Sequence, residues 1–116
     1  MRKFLVLAGL IAALAIPAAA AAATLHEAHK GTACPAGSVG TWHFVNNQTD
    51  GATGGTLTAI FSTGTIVDST PDKVNRNVMQ WFVSTPAGAT LIDANTGSVA
   101  GNLVLSDFSC EGVKKG

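Results

Sequence analysis

The chain of 116 residues contains no tyrosine, two cysteines, two tryptophans and few charged residues, 12% in all. Its seven basic and seven acidic residues cancel to a formal net charge of +0. Balanced charge with no basic stripe argues against nucleic acid as a partner, because such binders carry a positive excess. No Cys-x-x-Cys spacing occurs, which argues against a metal pair held by cysteine. No Gly-x-Ser-x-Gly elbow, His-Glu-x-x-His motif or glycosidase-like carboxylate pair can be assigned. No catalytic residue, no enzyme and no cofactor are therefore expected. The missing tyrosine also counts slightly against a binding surface, where that residue is usually enriched. Disorder is excluded from the other side, since 47% of residues are hydrophobic, near the globular average. The length allows one domain.

The apolar residues are unevenly placed. Arg2 and Lys3 form a basic start, Phe4 to Ile16 is an uncharged apolar run, Pro17 interrupts it, and Ala18 to Ala23 are small. That order is the pattern of a secretory signal peptide. The uncharged stretch reaches Leu25 and is long enough for a signal anchor, but Pro17 and six weakly apolar alanines favour cleavage. The expected bond follows Ala23. Removing residues 1–23 leaves 93 residues, with five basic against seven acidic, a net charge of −2. No second run of membrane length follows, so no membrane contact is expected of the mature form. The charged residues between the apolar run and Cys34 also argue against a lipid-modified cysteine.

Cys34 and Cys110 are expected to form one disulfide, the simplest state for two cysteines in an exported chain. A loop that long contributes about 4 kcal/mol in the chain-entropy model, which matters for a domain with a marginal core. Between the cysteines the pattern is β. Trp42 and Phe44 share one face of Thr41–Val45. Leu57, Ala59 and Phe61 alternate along Thr56–Phe61, and Thr65–Asp68 returns after Ser62-Thr63-Gly64. Met79, Trp81 and Val83 alternate along Asn77–Ser84. Ala89–Ala94 and Asn102–Ser106 complete about six strands. The expected fold is all-β, a small antiparallel β-sandwich, Ig-like or jelly-roll-like, with a barrel as the alternative. The expected organisation is a signal peptide at 1–23, a flexible leader at 24–33, the sandwich at 34–110 and a tail at 111–116.

Several segments together resemble a known module. Cys34-Pro35-Ala36-Gly37, Trp42-His43-Phe44-Val45-Asn46-Asn47-Gln48, Phe61-Ser62-Thr63-Gly64 and Gly101-Asn102-Leu103-Val104-Leu105-Ser106 to Cys110 are similar to a β-rich module of secreted actinobacterial surface proteins. The resemblance covers most of residues 34–110. Ser38 to Thr41 are extra relative to that module, and the long stalk and wall anchor often attached to it are missing. The resemblance implies extracellular location and fold, and implies no activity.

Candidate site residues are few. Trp42 and Trp81 are expected in the core, in phase with apolar neighbours; the alternative is a sugar-stacking pair, with Asn46, Asn47, Gln48 and Gln80 bonding hydroxyls and His43 as a further ligand contact. His43 by itself reads as a cross-strand hydrogen-bonding histidine. A chain cut after Ala23 would begin Thr24-Leu25-His26, whose amine, amides and imidazole suit a square-planar Cu(II) or Ni(II) site, with His29 as an axial ligand. Asp93-Ala94-Asn95-Thr96-Gly97 mimics the start of a calcium loop, but Val104 stands where a bidentate Glu is needed, so an Asx turn is expected. Asn47-Gln48-Thr49 is a formal glycosylation sequon expected on a surface loop. The leading functional expectation is a secreted or cell-surface module with a structural or adhesive role. Its partners would be a polysaccharide, an extracellular protein or a second copy, since Thr-rich edges without lysine invite self-association. A carbohydrate or cell-wall binding module using Trp42 and Trp81 is the alternative. A small secreted enzyme or inhibitor ranks last.

Overall fold

The computed structural model describes residues 22–112. Residues 1–21, most of the expected signal peptide, lie outside the described residues. Seven strands follow in chain order: β1 (Ser38–Asn47), β2 (Leu57–Phe61), β3 (Gly64–Asp68), β4 (Lys73–Asn75), β5 (Val78–Thr85), β6 (Leu91–Asn95) and β7 (Asn102–Gly112). They form two antiparallel sheets. One has the order β4-β5-β1-β7 and the other β3-β2-β6. The all-β sandwich is thus the observed fold, with seven strands among the described residues where about six were expected. The additional strand is β4. Pro71-Asp72 reads as a break, yet the Asp72 amide donates to the Gln80 carbonyl at 2.8 Å and its carboxylate accepts from the Phe82 amide at 2.8 Å. Those two bonds guide the chain into the β4–β5 hairpin, which turns through Arg76 and Asn77.

The period-2 pattern accounts for the core. Trp42, Phe44 and Asn46 of β1 face inward, as do Met79, Trp81, Val83 and Thr85 of β5. Leu103 and Leu105 of β7 face inward from the same sheet, and Leu57, Ala59 and Phe61 of β2 meet them from the opposite sheet with Leu91 and Ala94 of β6. Both indoles are fully buried, at 0% exposure. Trp42 packs on Phe61 with ring centroids 4.9 Å apart, and its Nε1–H donates to Thr85 Oγ1 at 2.8 Å. Burying large aromatic surface is the main source of stability in a domain this small. Gly40 fits this arrangement, because a side chain there would meet the Trp42 indole and the Thr85 hydroxyl.

Residues 24–33, expected to be a flexible leader, instead pack on the domain. A strap from Ala23 to Cys34 runs along the outer edge of β6 and touches the edge of β7. Leu25 donates to the Ala94 carbonyl at 2.9 Å, Gly31 to Leu91 at 2.8 Å and Cys34 to Ala89 at 2.9 Å. His26 donates to the Leu103 carbonyl of β7 at 3.0 Å, and His29 Nδ1 accepts from the Leu105 amide at 2.9 Å. The strap therefore covers one edge of each sheet. Leu25, 3% exposed, joins the core between them. This apolar residue sits beyond the alanines, where a leader and a buried plug look alike in sequence. A short 3₁₀ turn, Glu27–His29, bends the strap. Lys30 pairs with Glu27 at 2.8 Å and Asp93 at 3.5 Å, and the Glu27 carboxylate raises the Lys30 pKa above its ordinary value. The expected Cys34–Cys110 disulfide is present, with Cα atoms 5.5 Å apart. The tail expected at 111–116 begins inside β7: Glu111 and Gly112 pair with Val39 and Ser38, while residues 113–116 lie outside the described residues.

Candidate binding face

The outer face of the four-stranded sheet carries an exposed aromatic side chain, Phe82, among polar neighbours. Its geometry starts from alternation along β1, which turns Thr41, His43 and Val45 away from the core. His43 lies opposite Phe82 on β5 and opposite Asp107 on β7. The His43 and Phe82 rings stack with centroids 4.2 Å apart and planes within 9°. His43 Nε2 is hydrogen-bonded to Gln80 Oε1 at 2.7 Å. Phe82 remains 49% exposed despite the stack. Beside this group is a shallow hollow of about 180 Å³ lined by Thr41, His43, Phe82, Asp107, Phe108 and Ser109.

A β-bulge assembles the right side of the hollow. Phe44 pairs with Leu105 but His43 pairs with Asp107, so Ser106 is the extra residue. An inserted residue shifts the phase of every side chain beyond it. Asp107 and Ser109 therefore share the outer face with His43 and Thr41. Phe108 moves to the inner side and stacks on Trp42 at 5.3 Å, at the open end of the sandwich, where it is 41% exposed.

The expected site residues divide accordingly. His43 and Gln80 lie together on the outer face, and His43 has the cross-strand hydrogen bond expected of it. Trp42 and Trp81 do not join them. Both project into the core, as expected from their apolar phase, and the alternative of a sugar-stacking pair is corrected: an indole with no exposed surface cannot receive a ligand. The physical reason is phase, since Met79, Trp81 and Val83 form one stripe and Phe82 belongs to the other. That same alternation identifies Phe82 in the sequence as the outward aromatic. Phe108 and Asp107 carry no such signal, because no local pattern marks Ser106 as a bulge.

The square-planar metal site at Thr24, His26 and His29 is also corrected. Such a site needs the Leu25 and His26 amides stripped of their protons. Both amides donate to strand carbonyls instead, and His29 Nδ1 is occupied by the Leu105 amide. Asp93 faces Lys30, while Asn95 Oδ1 accepts from the Gly97 amide at 3.0 Å. The segment forms the expected Asx turn, on Asn95. Asn47 of the sequon ends β1 and is half-buried, and Thr49 is 3% exposed. A second hollow of about 230 Å³, lined by Gln48, Asp50 and Asn77, lies at the left-handed turn of Gln48 and Asp50.

In comparisons with protein-family models, curated proteins and solved structures, nothing matches this chain. No helix among the described residues is long and apolar enough to cross a membrane.

Proposed function

We propose that this chain is a secreted or cell-surface module with a structural or adhesive role, and that it acts without catalysis. The observation that carries the reading is the Cys34–Cys110 disulfide, which ties the strap to the last strand. Such bonds persist in oxidising compartments. The basic-tipped apolar start and the resemblance to secreted actinobacterial surface modules support export and a bacterial source. The test is fractionation of a secreting bacterial culture expressing the full chain. Recovery from the medium or the cell surface with no reactive thiol is expected. A cytosolic chain with two titratable thiols would overturn the reading. Retention of insoluble cell-wall fragments or whole cells by the immobilised protein tests the adhesive role.

A second reading is favoured by the outer face: a carbohydrate contact built on Phe82 and His43 rather than on the tryptophans. Gln80, Asp107, Thr41 and Ser109 would supply hydrogen bonds to hydroxyls. Retention on a polysaccharide panel that Phe82→Ala abolishes without changing the unfolding midpoint is the expected result.

A further inference from the structure

We infer that the bond cut on export lies on the N-terminal side of Ala23, so that the mature chain keeps Ala23 as part of the strap. This inference rests on the export reading proposed above. The small-residue rule for signal cleavage accepts several of the bonds between Ala18 and Thr24 equally well. The folded domain does not. Ala23 is 2% exposed. Its amide lies 3.0 Å from the Val99 carbonyl and 3.1 Å from Thr96 Oγ1, and donates to both. Its carbonyl accepts from the Thr96 amide at 3.0 Å. Thr96 is itself 1% exposed, and its hydroxyl donates to the Val99 carbonyl at 2.7 Å.

A cut after Ala23 would remove a partner from each of these groups. The Thr96 amide would lose its acceptor at a buried position, where an unpaired donor is costly. A cut before Ala23 keeps every bond. If it falls between Ala22 and Ala23, the new ammonium lies where two acceptors already converge. If it falls further upstream, an ordinary amide occupies the same place. The loop from β6 to β7 thus acts as a receptor for one alanine of an otherwise uniform run. A start before Thr24 also moves His26 out of the third position, which removes the square-planar metal site by a second route.

The experiment is intact-mass measurement and N-terminal sequencing of the full chain exported from a secreting bacterial host. The expected first residue is Ala23 or an earlier alanine. A start at Thr24 or later would overturn the inference. The uncut 116-residue chain has a different mass: found at the cell surface it would overturn the inference, and found in the cytosol it would overturn the export reading itself. A second measurement compares thermal unfolding of mature chains begun at Ala22 and at Thr24. The shorter chain is expected to melt roughly 4–8 °C lower, the shift of about one buried hydrogen bond in a domain this small. Equal midpoints would also overturn the inference.

Discussion

At the scale of single residues, the buried polar pairs are the points where small changes have large effects. The buried Trp42 Nε1–H has Thr85 Oγ1 as its acceptor. Thr85→Val keeps the shape and removes the acceptor, so a loss of about 1–3 kcal/mol is expected from the unpaired indole. Urea unfolding with an unchanged slope and a lower midpoint checks it. Gly101 is a backbone case. Its φ is +144°, and a Cβ there would press on the Asn46 carboxamide and the Asn47 carbonyl. Asn46 is fully buried and donates to the Ala100 carbonyl at 3.1 Å, so the crowding cannot be relieved outward. Gly101→Ala is expected to cost about 1–3 kcal/mol from strain alone, read by the same unfolding curves. The burial of Trp42 was legible from its phase with Phe44. The Thr85 partnership was not, because it depends on register across two strands 43 positions apart.

At the scale of elements, the strap and the bulge decide what the strands leave open. An uncovered strand edge offers unpaired backbone groups to another chain. The strap satisfies such groups on β6 and β7. Leu25→Ala is expected to cost about 2–5 kcal/mol as a buried leucine truncated in the core, although the leucine lies outside the disulfide loop. If the strap were a mobile leader, that substitution would be silent. Hydrogen exchange offers a local check: the Leu25 and His26 amides should be protected alongside those of β6. Strands with clean alternation, β1, β2 and β5, were legible to within a few residues. The strap was not, because Leu25 is the one large apolar side chain in Thr24-Leu25-His26-Glu27-Ala28 and the segment has no period. The β7 bulge was invisible for a related reason, since Leu103 and Leu105 alternate normally up to Ser106.

At the scale of the whole molecule, the disulfide joins the N-terminal strap to the C-terminal strand and so constrains both ends of the unfolded chain. Replacing Cys34 and Cys110 by serine, or reduction under native conditions, is expected to cost about 2–5 kcal/mol, measured as the difference in unfolding free energy between the two forms. The covered edges leave β3 and β4 as the outer strands on the other side. Of these, β3 exposes Val67, at 64%, and carries no lysine. If the module assembles with copies of itself, this edge is the place: light scattering should show concentration-dependent association that Val67→Lys reduces. A strict monomer at high concentration would count against an assembly role. The sequence by itself determined the all-β class, the two-cysteine closure and the inward phase of the central strands, because these follow from local alternation and residue chemistry. Only the tertiary structure decided that a supposed leader is a strap, that Ala23 belongs to the folded domain, and that Asp107 and Ser109 join Phe82 and His43 on the outer face. Those outcomes depend on which distant backbone groups find one another, and no local pattern in this low-charge chain encodes that pairing.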